Sequence, residues 1–157
     1  MKKLAITLAI IALFSIFIFS LSQKEVSPDT KEEPQMLTEN LEKKIRLEFG
    51  DKEILVLLED NSSASAFYDL LPLEFEFKDY ARTEKVTDLL GPLPKPDGNF
   101  GYDPSLGDFA YYAPWEGLAF YYKDFQYSTG LIKLGEIVEG LDNLTDMEGI
   151  VLVSKED

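Results

Sequence analysis

The sequence predicts a mainly β domain of many short strands closed into a barrel, with one or two short helices. Three observations predict it. Apolar and polar residues alternate over short runs, as in Ile45-Arg46-Leu47-Glu48-Phe49 and Leu73-Glu74-Phe75-Glu76-Phe77, which gives each run one inward face. Glycine, proline and asparagine punctuate the chain between those runs. Helical spacing of large apolar residues occurs only briefly, at Phe67, Leu70 and Leu71.

The elements follow in order. Ile45 to Phe49 forms a strand, Gly50-Asp51 a tight turn, and Ile54 to Leu58 a second, more deeply buried strand. Asn61, Ser62 and Ser63 supply helix-capping oxygens, and Pro72 blocks continuation of the helix that follows. A strand resumes over Leu73 to Phe77. Gly91 to Pro104 contains four prolines and reads as a long loop. Asp108 to Tyr112 and Leu118 to Tyr122 are aromatic strands, with Pro114-Trp115-Glu116-Gly117 as the turn between them. Leu131 to Val138 is a strand region broken at Gly135. Asp142 caps a second short helix, and Ile150 to Val153 is the last strand.

Composition narrows the chemistry. The chain has no cysteine and no histidine, so histidine-dependent nucleophilic triads and the usual zinc and haem ligand sets are excluded. No cofactor and no metal site are expected. Asp142, Asn143, Asp146 and Glu148 lack the spacing of a calcium-binding EF-hand loop. The formal net charge of −14 repels nucleic acid and favours a soluble, monomeric domain.

The N-terminus reads as a membrane-targeting segment. After Met1-Lys2-Lys3, Leu4 to Leu21 is apolar except for Thr7, Ser15 and Ser20, long enough to span a bilayer core. The two lysines hold the start in the cytoplasm and send the rest outside. Cleavage after Ser22 would make this a signal peptide and the domain secreted. The length of the run favours an uncleaved anchor in the cell membrane. Residues 1–22 are therefore read as anchor or signal, and 23–43 as a linker. With Pro28 and Pro34 among charged and small polar residues, the linker has too little apolar surface to offset its ordering entropy. The folded domain is expected over 44–157.

Several strings carry a family resemblance. They are Asn61 to Pro72, Thr83-Glu84-Lys85-Val86, Gly101 to Trp115 (containing Gly107-Asp108-Phe109-Ala110-Tyr111-Tyr112), Leu118 to Tyr122 and Gly130 to Ile137. In this order they resemble the bacterial and archaeal cyclophilin-like family, whose members are mostly uncharacterised. The resemblance runs from about Ile45 to the C-terminus. It implies an eight-stranded barrel with two helices and a site on the outer face. Prolyl isomerases of the cyclophilin type carry a Phe-His-Arg string and a glutamine-rich segment. Here the corresponding stretch is Asp79-Tyr80-Ala81-Arg82-Thr83, in which Arg82 alone could stand in for the isomerase arginine, and the Leu118 to Tyr122 aromatics replace the other segment.

The candidate binding residues are Arg82, Glu84, Tyr112, Trp115, Phe120 and Tyr122. Arg82 is either a pocket donor or a surface charge, and is also the one candidate for a catalytic donor. Glu84 and Lys85 face opposite sides of a strand. Strand alternation sends about half of the aromatic cluster inward, and the rest is available to grip a ligand, with Trp115 as its most exposed member. Two functions follow. One is an exported, membrane-tethered binding module for a peptide or small apolar ligand. The other is a weak peptidyl-prolyl isomerase for exported proteins, acting on bonds whose isomers are close in energy and exchange slowly.

Overall fold

The computed structural model describes residues 42–156. The apolar segment 4–21 and the linker up to residue 41 lie outside the described residues. Among the described residues no helix is long and apolar enough to cross a membrane.

Eleven strands, one α-helix and one 3₁₀ helix follow one another along the described chain. The first two strands are β1 (Lys44–Phe49) and β2 (Lys52–Leu58), followed by helix α1 (Ser62–Leu70). Next come β3 (Leu73–Glu76), β4 (Lys78–Tyr80) and β5 (Glu84–Asp88). Then come β6 (Gly101–Tyr102), β7 (Asp108–Tyr112), β8 (Gly117–Tyr121), β9 (Ser128–Thr129) and β10 (Leu131–Glu139). The 3₁₀ helix (Leu141–Asp146) leads into β11 (Ile150–Glu156).

Nine strands form one sheet in the order β3-β11-β1-β2-β10-β7-β8-β5-β4, and β6 pairs with β9 as a separate two-stranded lobe. The two edges of the large sheet, β3 and β4, are consecutive in sequence and parted only by Phe77. One continuous segment, Leu73 to Tyr80, therefore pairs with β11 at one end and β5 at the other. Phe77 interrupts the ladder at that crossing and turns its ring inward, where it is buried. Counted as staves, the sheet is a barrel of eight, as expected; counted as ladders it has nine strands. Such closure leaves no long edge for another chain to pair with.

The barrel is filled by the inward halves of the alternating strands. Ile45 and Leu47 of β1, Ile54 and Val56 of β2, Phe109 and Tyr111 of β7, and Leu118 and Phe120 of β8 are almost fully buried. Phe67 of α1 joins them, edge-on to Phe109 at 5.3 Å between ring centroids. Asn61 caps α1 by accepting a hydrogen bond from the Ala64 amide at 2.9 Å, which satisfies one of the helix's free amides.

Two details differ from the sequence expectation. Gly135 does not break β10. The strand runs through it with a register shift between Lys133 and Gly135. A Cβ at Gly135 would collide with the Leu57 carbonyl, so glycine lets β2 approach closely, while the bulge falls on the β7 side. Asp142 is not the cap of the 3₁₀ helix. Gly140 holds that place in the left-handed region at φ 79°, and Asp142 lies in the first turn.

Candidate outer-face cleft

Period-two alternation gives the sheet an outer face whose residues are small in the middle and large at the rim. On β8 the outward residues are Gly117, Ala119 and Tyr121, because Leu118 and Phe120 point into the core. On β5 they include Glu84, Val86 and Asp88; on β4 they are Lys78 and Tyr80. Part of this face is covered. Tyr102, from the β6–β9 lobe, packs on Ala110, Ala119, Tyr121 and Leu131. Beside that lobe the face remains open as a cleft of about 440 Å³, a size suited to a small molecule or a side chain of a larger one.

The walls of the cleft are aromatic. Trp115 comes from the β7–β8 turn and is 67% exposed. The Trp115 amide donates to the Tyr112 carbonyl at 3.2 Å, and the Ala113 amide to the Gly130 carbonyl at 3.0 Å. Gly130 has φ 86°, and a Cβ there would come within 2.8 Å of the Pro114 ring. The turn thus rests directly on Gly130, which directs Trp115 over the sheet. Trp115 stands edge-on to Tyr112 at 5.2 Å and to Tyr80 at 6.5 Å. Phe125, from the segment between β8 and β9, and Ser128, the first residue of β9, line the side nearer the lobe.

Glu84 lies in the cleft opposite Tyr121 on β8 and Tyr80 on β4. Burial raises the pKa of its carboxyl, and the Tyr121 hydroxyl beside it acts in the opposite direction. The Tyr121 phenol is itself raised, first by burial and then by the Glu84 charge. Asp88 and Glu76 add two further carboxylates to the lining, against the single cation Lys78.

Of the six candidate residues, the cleft brings together Glu84, Tyr112 and Trp115. Phe120 lies on the other face of β8, stacked on Phe109 at 4.3 Å in the core. Its all-carbon ring gains most from burial, whereas its neighbour Tyr121 carries a hydroxyl and lies on the outer side. Tyr122 leaves the cleft for the barrel rim, where its hydroxyl donates to Asp79 at 2.8 Å. Burial and that carboxylate push its phenol up to about 12. Arg82 is exposed and absent from the cleft lining. It sits at the tip of the β4–β5 hairpin with Ala81, both in the left-handed region at φ 58° and 51°. The Thr83 amide donates to the Tyr80 carbonyl at 3.1 Å across that tip, the pattern of a type I′ turn. The Arg82 reading as a surface charge is the one its position fits.

Lys85 and Glu84 do face opposite sides. Lys85 is 3% exposed and its ammonium lies 3.5 Å from the Asp79 carboxylate. Asp79, held by the Tyr122 hydroxyl and then by Lys85, has its pKa lowered. Tyr80, Tyr121, Phe125 and Ser128 are cleft residues that were not singled out in the sequence. For Tyr121 a signal existed: Leu118 and Phe120 alternate with Gly117, Ala119 and Tyr121, so the tyrosine belongs to the face with the small residues. For Phe125 and Ser128 there was none, since Phe125 lies in a connecting segment and Ser128 in a strand of two residues, too short to show alternation.

A closed barrel with a cleft on the outer face of its β5–β8 region is a cyclophilin-like architecture. Residues 47–156 match the model of the cyclophilin-like family, and the chain belongs to that family. It is similar to the solution structure of a hypothetical protein from Archaeoglobus fulgidus. That likeness has a TM-score of 0.59 at 19% identity and covers 73% of this chain and 95% of that one. At this identity the likeness is one of fold. No curated protein matches the chain.

Proposed function

We propose that this chain is an exported, membrane-tethered cyclophilin-like binding domain that holds a peptide or small apolar ligand in its outer-face cleft and does not catalyse prolyl isomerisation. The observation that carries the reading is the cleft itself: about 440 Å³, floored by Val86, Gly117 and Ala119 and walled by Tyr80, Tyr112 and Trp115. Small floor residues and aromatic walls suit an apolar group, with polar atoms at the rim to orient it. The apolar run over residues 4–21 behind Lys2 and Lys3 supports tethering to the cell membrane with the barrel outside. Cleavage of that run would leave the same domain secreted.

Isomerisation asks more than binding. The barrier to twisting a peptide bond is roughly 18–20 kcal/mol, and lowering it needs a donor placed where charge develops in the twisted state. Arg82 is outside the cleft lining, which carries three carboxylates and one lysine instead. Uniform binding of both isomers gives no acceleration of the bound step. The test is a prolyl isomerase assay on the full-length chain with a short Ala-Pro peptide, run beside a titration of the same peptide followed by Trp115 emission. Saturable quenching with a background rate is expected. A clear rate enhancement that disappears in Arg82→Ala, with the fold intact, would promote the isomerase reading.

A further inference from the structure

We infer that the outer-face cleft selects an organic cation, an alkylammonium group seated against the Trp115 corner and neutralised by Glu84 and Asp88. The inference rests on the reading of the cleft as a binding site and narrows its ligand class.

Ring geometry supplies the first argument. Trp115 is nearly perpendicular to Tyr112, at 88°, and to Tyr80, at 85°. Three aromatic side chains therefore meet at a corner instead of lying in one stack. The face of each ring carries negative quadrupole, and a cation within about 6 Å of a ring face is attracted to it. Aliphatic walls would serve a neutral ligand equally well, but they offer nothing to a charge.

Charge balance supplies the second argument. The cleft lining holds Glu76, Glu84 and Asp88 against Lys78, so three negative groups face one positive group. Among the described residues neither Glu84 nor Asp88 takes part in an ion pair. Several carboxylates elsewhere on this barrel are matched to cations. Glu53 and Glu156 hold Arg46, Asp146 holds Lys52, and Asp108 holds Lys133. The two cleft carboxylates have no such partner and share the cleft with rings that themselves favour a cation. Glu84 is also partly withdrawn from water, and this burial raises its pKa. An incoming ammonium would replace lost solvation by a direct charge–charge contact, which is stronger where water is excluded. The net charge of −14 adds a long-range field that attracts the same sign of ligand.

Alkylammonium can arrive on a free quaternary amine or on a lysine side chain, and the experiment separates these sources. Trp115 is the single tryptophan of the chain, so indole emission reports on the cleft alone. Full-length protein in maltoside micelles is titrated with choline, with its uncharged carbon isostere, and with Nα-acetyl-lysine methylamide. At least one of the two cations is expected to bind about tenfold or more tightly than the isostere. The tighter of the two identifies the source. Glu84→Gln should weaken cation binding by roughly threefold to tenfold, and Lys78→Gln should tighten it by a similar factor, as opposite charges in one cleft require. Neither change should move the isostere, and unaltered circular dichroism spectra confirm that both variants fold.

An isostere that binds as tightly as both cations overturns the cation selectivity while leaving the cleft as an apolar site. Cation binding that is indifferent to both charge changes also overturns it. If none of the three ligands gives a saturable change while the Ala-Pro peptide does, the cation inference fails and the binding reading survives. If the peptide is silent as well, both fail.

Discussion

Replacing Phe120 by alanine is expected to unfold much of the population, whereas replacing Trp115 by alanine is expected to spare the fold and remove ligand binding. Phe120 is 1% exposed. A buried aromatic side chain of this kind removes about 200 Å² from water, worth about 5 kcal/mol at about 25 cal/mol per Å². Alanine retains a small share of that area, and the vacated space relaxes only in part, so a loss of about 3–5 kcal/mol is expected. Two ring contacts place Phe120 toward the upper end: the stack on Phe109 at 4.3 Å and the edge contact with Phe77 at 5.6 Å. Trp115 is 67% exposed. Only about a third of its area is removed from water, so Trp115→Ala should cost about 1–2 kcal/mol. The assay is urea unfolding followed by far-ultraviolet circular dichroism, which serves both variants equally. A domain of this size has a total stability of about 5–15 kcal/mol, so Phe120→Ala can fall below the foldable range. Phe120→Leu, expected to lose about 1–2 kcal/mol, keeps the comparison measurable. The reasoning would be refuted if Phe120→Ala were no more damaging than Trp115→Ala. It would fail equally if Phe120→Leu abolished ligand binding at full stability, since Phe120 would then be acting in the cleft.

Two further outcomes follow from the local geometry. Ala81→Asn combined with Arg82→Gly should stabilise the protein by about 1–2 kcal/mol, because both residues occupy left-handed backbone that favours Asn-Gly in a type I′ turn; a lower urea midpoint with unchanged m would count against that turn. The pH profile of unfolding should show two opposed contributions. Asp79, Asp146 and Glu156 have lowered pKa values through Tyr122 with Lys85, Lys52 and Arg46 respectively. Their contribution is present above the ordinary carboxylate range and is lost as pH falls through the lowered values. Glu84 has the opposite sign. Its raised pKa means that the folded state holds its proton more tightly, so stability is lost as pH rises from the unfolded carboxylate value through the folded one. The groups facing Glu84 are Lys78 and Tyr80 on β4, Tyr121 on β8 and Asp88 on its own strand. Glu84→Gln should remove that loss, so that the variant gains on the parent as pH rises over the interval above the ordinary carboxylate value. A variant that tracks the parent across this interval would show that Glu84 is solvated like a free carboxylate.

The barrel was legible in the sequence because burial and strand period act together. Runs such as Ile45-Leu47-Phe49 state both the element and its inward face, and Asn61 announces its helix by capping chemistry. That the barrel closes was legible, but the way it closes was not. It depends on Phe77 interrupting one segment so that Leu73 to Tyr80 serves two neighbours, and nothing local distinguishes that from an ordinary strand. The cleft was legible in part for the same reason. Its strand residue Glu84 and turn residue Trp115 follow from alternation and turn chemistry. Parity went astray on β8, where a run of adjacent aromatics, Phe120-Tyr121-Tyr122, hides which member points outward. The small residues Gly117 and Ala119 settle it, because large residues on that face would fill the cleft. Lys85 runs against the rule that lysines stay in water. Its partner Asp79 lies on the neighbouring strand, so its burial follows from a pairing that only the fold reveals.

The same alternation explains how one barrel can be kept while its outer surface is free to take on the binding role proposed for it. Each strand through the site devotes one set of side chains to the interior and the other to the cleft: Phe120 against Tyr121 on β8, Tyr111 against Tyr112 on β7, Lys85 against Glu84 on β5. The inward set is constrained by close packing, where a change of even one methylene is felt. In the outward set Tyr121 packs under the β6–β9 lobe, whereas Glu84 and Tyr112 are only partly buried. Glu84, Tyr112 and Trp115 can therefore change with modest effect on the fold, as the expected gap between Phe120→Ala and Trp115→Ala expresses in free energy. On the proposed reading, specificity in this chain is set by residues that contribute least to stability. The identity of the ligand must be sought in the sign of the cleft's charge and the angles of its rings, because the barrel beneath imposes neither.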